Sequence, residues 1–276
     1  MHTVEKAAIA VRHSRALEHS LGLWNLVRPW YIRVLGVLGR HGLQRVINGT
    51  DPVLLAHELY GIPETYEPEM WDMVMAEVRP GDVVADVGAS IGLYTLALAH
   101  RVGPTGQVHA FEPDRESFDW LSRNVDLNVV GEWVHLHCCA VGDESGTLAF
   151  AGGRGTESSV VEAPSLGSCR VESVQLDRAF AGKKLDLLKI DVEGFEEKVL
   201  RGAAGLLSDS ACGPRTVFVE VHPFAWERFG VSDRSLLQIL WHAGYEVFDL
   251  TANRVKSVDE YGVIVARRSY GRDAGG

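Results

Sequence analysis

Acidic, basic and imidazole side chains gather at the ends of two apolar runs in the second half of the chain. Alternate residues of a strand point to the same face of a sheet. Polar groups in an otherwise apolar sheet are costly unless they are paired or functional. At these two ends they could supply a proton acceptor, a cation that tunes it and a carboxylate that binds substrate. The residues concerned are Lys189, Asp191, Glu193, Glu220 and His222.

Two interpretations of this set stay open. In a structural network, Lys189 bridges Asp191 or Glu193, and Glu193 caps the helix that follows it. In a catalytic set, Asp191 or His222 is the general base for a substrate hydroxyl. Lys189 then tunes the pKa of the base, and Glu220 binds the substrate or a metal. Asp191 and Glu220 could together hold a hard divalent cation, although we do not expect the protein to depend on one.

The motif GDVVADVGASIGLYTLALA, at residues 81–99, is typical of a ligand site. A β-branched run leads through Asp86 into a loop bounded by Gly88 and Gly92, and an apolar helical pattern follows. Such a loop brings bare backbone close to a ligand at the carboxyl edge of a sheet and the start of a helix. Glu112 follows Gly88 by 24 residues, at the end of the next β run. A carboxylate there can accept both hydroxyls of a ribose, so the sequence predicts a nucleoside site.

The loop favours one kind of nucleoside over another. The dinucleotide fingerprint is absent because Ser90 stands where a middle glycine would admit a pyrophosphate. Asp86 would repel a diphosphate and suits a cationic ligand or an amino group. S-adenosylmethionine has an amino acid end, a sulfonium and a ribose but no phosphate. The loop therefore favours S-adenosylmethionine over NAD.

These motifs need a sheet that brings strand ends together. After Asp82 the chain alternates β runs with helical patterns, which predicts right-handed crossovers and a parallel sheet with helices on both sides. At the tail, a helix at 235–243 precedes two closely spaced β runs that can pair antiparallel. The stretch 142–180 predicts a hairpin or loop insertion at one sheet edge. The β runs of the sheet are 83–87, 107–111, 134–141, 185–192, 216–221, 245–250 and 261–266, and the helices between the first of them are 93–101 and 117–128.

From about Tyr66 to Leu250 the chain resembles the FkbM-type, class I S-adenosylmethionine-dependent methyltransferases. Two departures are Ser90, where the family more often has Asn, and Phe195, where a small residue is usual. The resemblance rests on DVGASIGLYTLALA, on FEP at 111–113, RNVDLN at 123–128 and FVEVHP at 218–223, and above all on LLKIDVEGFEEKVLRGA at 187–203.

The resemblance implies a Rossmann-like, doubly wound, mostly parallel seven-stranded sheet with an antiparallel C-terminal hairpin strand. It implies O-methylation of a hydroxyl on a sugar, glycolipid or natural-product acceptor. An N-methyltransferase acting on a peptide or protein, and a non-catalytic cofactor-binding partner in a biosynthetic complex, stay open as alternatives. The cofactor contacts that it implies are Asp86, Gly88, Ala89, Gly92 and Glu112, with Tyr66 and Glu67 at the amino acid end.

Charge divides the 276-residue chain into two unequal parts. The net charge is 27 minus 37, or −10, which speaks against a nucleic-acid partner. The first fifty residues carry seven basic and two acidic residues, or +5, and apolar residues recur there at helical spacing. We therefore predict a helical N-terminal extension over 1–60, a methyltransferase domain over 61–270 and a flexible tail over 271–276. The extension would serve as a lid, a docking or oligomerisation element, or a peripheral membrane contact.

Cysteine usage and hydropathy predict a cytoplasmic protein. Cys138, Cys139, Cys169 and Cys212 form no C-x-x-C pair, which favours buried free thiols. No apolar run approaches the ~20 residues of a membrane span. Charged residues interrupt the N-terminus where a signal peptide would be apolar.

Overall fold

The computed structural model describes residues 30, 33, 41–152, 159–161 and 168–269. Among these described residues, two short 3-10 helices, His57–Leu59 and Glu227–Phe229, accompany the main elements. The strands are β1 (Leu43–Ile47), β2 (Asp51–Leu55), β3 (Val83–Val87), β4 (Gln107–Phe111), β5 (Val134–His137), β6 (Ala140–Val141), β7 (Gly146–Ala151), β8 (Ser159–Val161), β9 (Cys169–Val174), β10 (Leu187–Ile190), β11 (Thr216–Val221), β12 (Tyr245–Phe248) and β13 (Gly262–Arg268). The α-helices are α1 (Pro68–Glu77), α2 (Leu93–Val102), α3 (Arg115–Asn128), α4 (Leu176–Ala179), α5 (Glu196–Arg201), α6 (Ala204–Ser208), α7 (Pro223–Trp226) and α8 (Asp233–His242).

A mixed sheet of seven strands forms the centre of the fold, with the order β12-β13-β11-β10-β3-β4-β5. The five strands from β11 to β5 pair in parallel, so their carboxyl ends meet at one edge. Strand β13 is antiparallel to both of its neighbours, as predicted for the two β runs at the tail. This topology confirms the expectation of a seven-stranded mixed sheet with helices.

Helices cover both faces of the sheet because its strands are apolar on both faces. Val84 and Phe218 belong to one buried cluster, together with most of α2. Ala85 and Val217, the neighbours of these residues along β3 and β11, belong to the opposite cluster, together with α8. Polar side chains that need a ligand or solvent are therefore confined to the edges of the sheet.

The β run at 134–141 was predicted as one strand, but it divides between two sheets. β5 stays in the central sheet, whereas β6 pairs with β9 in a second sheet of order β6-β9-β7-β8. A tight turn, in which the Cys139 amide donates to the His137 carbonyl, redirects the chain between them. The second sheet confirms the predicted insertion, since β7 pairs antiparallel with β9 inside the stretch 142–180.

The prediction that residues 1–60 are helical is wrong for the segment 43–55. There β1 and β2 form an antiparallel hairpin whose buried residues alternate along the chain, which is the pattern of a half-buried strand. Two asparagines of α3 bind its backbone: Asn128 Oδ1 accepts from the Leu54 amide, and Asn124 Oδ1 accepts from the Ala56 amide. The hairpin is thus bound to the main domain.

Most of the predicted N-terminal helices lie outside the described residues, as does the predicted tail 271–276. Trp30 and Arg33 are described, and both are helical and exposed. Across the described parts of the chain, no helix combines the length and the apolar character needed to cross a membrane. The described cysteines are free, but only Cys139 is buried, so the expectation of buried thiols is wrong for Cys138 and Cys169, which are exposed.

Candidate active site

A cavity of about 420 Å³ lies at the carboxyl edge of the central sheet, between the ends of β3, β4, β10 and β11. The second sheet closes one side of it through Phe150 and Val160. Its volume falls in the range of small-molecule sites. Seven of the predicted site residues line it: Glu67, Gly88, Glu112, Asp191, Glu193, Glu220 and His222, and Tyr66 lines it too.

The loop after β3 reaches the cavity through Gly88 and Ser90. Gly88 has a φ of +84°, and a Cβ there would overlap the Asp191 carbonyl oxygen at the end of β10. The amides of Gly88 and Ala89 both donate to the Phe111 carbonyl, which fixes the loop against β4. Glycine is therefore required at position 88 by the close approach of two strand ends.

Two predicted loop contacts lie away from the cavity. Ala89 is buried in the apolar cluster beside α2. A Cβ on Gly92 would meet Leu121 of α3, so this glycine permits helix packing. Neither residue lines the cavity. Both residues pack the loop against the helices behind it.

Glu112 is a buried carboxylate whose position is fixed by backbone donors. Its Oε2 accepts from the Ser90 amide at 2.7 Å, and its Oε1 accepts from the Asp114 amide at 2.7 Å. Burial raises the pKa of Glu112 to about 7, although these two hydrogen bonds lower it. Each carboxylate oxygen can accept a second hydrogen bond. The group is therefore oriented to receive two hydroxyls from the cavity.

Asp86 and Lys189 form a buried ion pair beneath the cavity. Lys189 Nζ lies 3.5 Å from Asp86 Oδ1 and 3.5 Å from Asp191 Oδ2. Thr95 Oγ1 donates to Asp86 Oδ2 at 2.7 Å, and the ammonium lies 4.6 Å from the centroid of the Tyr94 ring. Neither Asp86 nor Lys189 lines the cavity. The predicted cofactor contact of Asp86 has no support in this geometry, because α2 covers its carboxylate.

Three carboxylates meet where β10 and β11 end. Oxygens of Glu67, Asp191 and Glu220 all lie within 4.8 Å of one another, a spacing that could hold a cation. Glu67 accepts from the Tyr94 hydroxyl at 3.0 Å, and Glu220 Oε1 accepts from the Tyr261 hydroxyl. Burial and the charge of Asp191 raise the pKa of Glu220 to about 7, against the lowering effect of the Tyr261 hydrogen bond.

His222 lies between two glutamates. Its Nδ1 is 2.7 Å from Glu196 Oε1, and its Nε2 is 3.5 Å from Glu193 Oε2. Burial lowers the pKa of His222, but the hydrogen bond and charge of Glu196 and the charge of Glu193 outweigh it and raise the pKa to about 9. The imidazole is charged at neutral pH, so the interpretation of His222 as a general base is not supported.

The structural network inferred from the sequence is present in part. Lys189 does bridge Asp191. The amide of Gly194, at the turn before α5, is bound by the Glu196 carboxylate at 2.8 Å, where Glu193 was expected to cap. Glu193 has a φ of +49°, and its carboxylate lies beside His222. One of its oxygens stays within 4.8 Å of an Asp191 oxygen, so Asp191, Glu193 and His222 form one cluster.

Several residues of the site were not identified as functional from the sequence. Glu196 accepts from His222, the Gly194 amide and the Trp226 indole, and it is completely buried. Its place in the motif that contains Lys189, Asp191 and Glu193 was a signal that could have found it. Tyr261, Phe224 and Phe195 line the cavity. No local pattern distinguished them from ordinary apolar residues.

The charge of the residues that line the cavity indicates which kind of cofactor can bind there. The lining includes five carboxylates and, among the described residues, no lysine or arginine. Such a set repels phosphate and suits a cation. Together with the glycine loop and Glu112, it fits a nucleoside that carries a sulfonium. A seven-stranded mixed sheet with this site at its carboxyl edge defines a class I S-adenosylmethionine-dependent methyltransferase.

Comparisons with known proteins identify the family. The family model described as the methyltransferase FkbM domain matches residues 86–247, and the chain belongs to this family. It is 34% identical to the 31-O-demethyl-FK506 methyltransferase FkbM of Streptomyces tacrolimicus, over 53% of this chain and 67% of that protein. It is 26% identical to the hexuronic acid methyltransferase AglP of Haloferax volcanii, over 78% of this chain and 81% of that protein.

Among solved structures, the methyltransferase FkbM from Methylobacillus flagellatus KT is similar, with a TM-score of 0.44 and 18% identity. That similarity covers 88% of this chain and 60% of the other. From the family match, this chain is a methyltransferase, and S-adenosylmethionine is its methyl donor.

Proposed function

We propose that this methyltransferase acts on a hydroxyl of a sugar, glycolipid or natural-product acceptor. The observation that carries the proposal is Glu220, a buried carboxylate at the end of β11 that lines the cavity and accepts a hydrogen bond from Tyr261. The names of two relatives support the acceptor class, since one is a 31-O-demethyl-FK506 methyltransferase and the other a hexuronic acid methyltransferase.

The cofactor side of the site consists of backbone and one carboxylate. S-adenosylmethionine supplies an electrophilic methyl group on a positively charged sulfur. Glu112 accepts the ribose hydroxyls in this proposal, and Gly88 allows the loop backbone to lie against the nucleoside. Glu67 binds the ammonium of the amino acid end. In this proposal Asp86, Ala89 and Gly92 do not contact the cofactor and instead hold the loop in position.

Transfer of a methyl group to a neutral hydroxyl releases a proton, so it needs a proton acceptor within hydrogen-bond distance. Glu220 suits this role because its pKa of about 7 makes it a base near neutral pH. The hydrogen bonds that Glu220 makes with described residues engage Oε1, which leaves Oε2 for the acceptor hydroxyl. Asp191 suits it less, because its carboxylate is already paired with Lys189.

The division of labour along the chain is also part of the proposal. Residues 61–270 carry both halves of the reaction, and the basic N-terminal segment acts on the acceptor, as a lid or as a docking element. Residues 1–40 carry six basic and two acidic residues, or +4, beside an acidic remainder, which supports a role toward an anionic acceptor or surface. Because the hairpin 43–55 is bound to α3, we place the boundary of that segment near residue 40.

The test replaces Glu220 by glutamine. In E220Q, kcat should fall by about 10²- to 10⁴-fold, because the general base is lost while the size of the side chain is kept. The affinity for S-adenosylmethionine should be unchanged. Transfer is followed with methyl-labelled S-adenosylmethionine and a set of methyl glycosides, uronic acids and macrocyclic alcohols. In the wild type, kcat should rise with pH through about 7, since the ionised carboxylate is the active form.

The matched control is E246Q, because Glu246 lies on β12 and pairs at the surface with Arg254. It should retain full activity. Treatment with EDTA should leave the rate unchanged, which would set aside a divalent cation held by Glu67, Asp191 and Glu220. Wild-type kcat in E220Q would show that Glu220 is not the base.

A further inference from the structure

We propose that Phe224 and Tyr261 form an aromatic platform at the mouth of the cavity, which binds the apolar face of a pyranose ring in the acceptor. The inference rests on the proposed function and narrows its acceptor class. Phe224 is 70% exposed and Tyr261 is 60% exposed, although both line the cavity.

Two distant segments bring these rings to one place. Phe224 lies in α7, directly after the end of β11, and Tyr261 immediately precedes β13. Both rings pack against the imidazole of His222, with centroid distances of 5.8 Å for Phe224 and 5.3 Å for Tyr261. The Tyr261 hydroxyl donates to Glu220. The platform is therefore continuous with the group that we propose as the base.

The two rings of the platform border a cavity, which distinguishes them from a single exposed ring on the surface. Single apolar side chains on a surface are common. Here two rings share one imidazole and border an acidic cavity, so a ligand in the cavity would cover them. Trp241 is also exposed, at 41%, but it lies on α8 and is not part of the cavity lining. An aromatic side chain that is covered by a ligand contributes apolar area with little loss of conformational freedom.

The polar groups beside the platform define what the ligand must offer. Asp191, Glu193 and Glu220 line the same cavity, and ionised carboxylates only accept hydrogen bonds. A purely apolar alcohol would remove water from the acceptor positions that Asp191 and Glu220 still offer and would supply no donor in its place, at a substantial cost. A phosphorylated ligand would be repelled. A pyranose donates several hydroxyls around its rim and presents C–H groups on its face, so it meets both requirements.

An amine acceptor is the competing class, because ammonium groups bind to carboxylates and to aromatic faces. The position of His222 disfavours it. The imidazole that contacts both rings is held in its charged form between Glu193 and Glu196. Its charge opposes a second cation on the platform itself, whereas the carboxylates of the lining attract one. The amine probe in the experiment below therefore decides between the two classes.

The experiment compares F224A with W241A as a matched control. Saturation-transfer NMR measures the binding of four probes: methyl glucopyranoside, methyl glucuronide, cyclohexanol and cyclohexylamine. We expect methyl glucopyranoside to bind the wild type through its ring C–H groups, and methyl glucuronide to bind in the same way but more weakly, because its carboxylate is repelled by the acidic lining. F224A should raise the dissociation constant of the glycosides, and the acceptor KM, about tenfold. Its kcat and its affinity for S-adenosylmethionine should be retained, F224W should bind as the wild type does, and W241A should change nothing.

The outcomes separate the platform from the proposed function. Equal glycoside binding in F224A and the wild type would overturn the platform even where methylation of hydroxyls persists. Preferential binding of cyclohexylamine would overturn the assignment to a pyranose. Glycoside binding that depends on Phe224, in a protein that methylates no hydroxyl in the acceptor set, would support the platform and count against O-methylation. Because Phe224 is exposed, loss of folding is not expected, and thermal unfolding of each variant checks this.

Discussion

The two sides of the cavity hold their polar groups in different ways. On the side that we propose for the cofactor, at the ends of β3 and β4, backbone amides orient the Glu112 carboxylate. On the side that we propose for the acceptor, at the ends of β10 and β11, side chains orient other side chains: Tyr261 holds Glu220, and Glu196 holds His222. The cofactor side is thus fixed by the fold itself, whereas the acceptor side depends on a network in which each member can be exchanged. This difference suits a family that shares one methyl donor and differs in acceptors.

One buried group connects the two sides. Lys189 on β10 pairs with Asp86 on β3 and with Asp191 at the cavity. Burial lowers the pKa of Lys189, but the two carboxylates outweigh it and raise that pKa above its ordinary value. Coupling between the two sides is therefore expected at this ammonium.

Replacement of Lys189 by methionine should have the largest effect. K189M leaves the Asp86 carboxylate buried without its cation, and removal of one partner of a buried pair costs about 3–5 kcal/mol of unfolding free energy. Urea denaturation measures the loss. Both sides should suffer, so affinity for S-adenosylmethionine should fall together with activity.

The double variant D86N/K189M is the control, since it removes the uncompensated buried charge along with its partner. It should recover most of the lost stability. A K189M protein as stable as the wild type would mean that the pair contributes no more than a surface contact, and that the two sides are independent.

The acceptor-side network should also make stability depend on pH. The pKa of His222 is raised in the folded protein from 6.5 to about 9. Its charged form therefore stabilises the fold fully below pH 6.5, and this contribution disappears as the pH rises through about 9. A shift of this size corresponds to about 3 kcal/mol. The cofactor side contains no such histidine among the described lining residues.

Comparison of the wild type with H222Q measures this contribution. The difference in unfolding free energy between them should be largest near pH 6 and should shrink by about 3 kcal/mol toward pH 9.5. Glutamine keeps a hydrogen-bond donor toward Glu196 but does not titrate in this range. A difference that is constant with pH would show that His222 is not held in its charged form.

The same contrast explains what could be predicted from the sequence. Gly88 and Glu112 were identified because a strand, a glycine loop and a following strand are local signals with a fixed spacing. The sequence did not show which face of the sheet the Asp86 side chain points to, because a strand that is buried on both faces has no alternation of polar and apolar residues. His222 was one of two candidate bases, beside Asp191. The sequence did not show that Glu196, 26 positions away, would hold the imidazole in its charged form.

Other misses have related physical causes. Tyr261 reaches Glu220 across 41 positions, through a strand pairing that no local pattern encodes. The break between β5 and β6 depends on one tight turn inside an apolar run. The hairpin β1–β2 was hidden because short apolar runs fit helix and strand equally well. Local signals therefore specified the cofactor side and the fold class, and tertiary contacts decided the acceptor side.

The smallest effect is expected for single carboxylates, whose replacement should weaken the binding of one ligand and not of the other. E112Q removes the charge of the carboxylate that accepts the ribose hydroxyls in the proposal, and hydrogen bonds to charged groups contribute about 1.5–3 kcal/mol. Its dissociation constant for S-adenosylmethionine should therefore rise about tenfold to a hundredfold by calorimetry. E193Q, on the acceptor side, should leave that constant unchanged and raise the acceptor KM. Equal weakening of cofactor binding by both variants would contradict the division, because it would mean that the carboxylates act as one pooled negative charge. An unchanged constant in E112Q would remove Glu112 from the cofactor site and leave the glycine loop alone to bind the nucleoside.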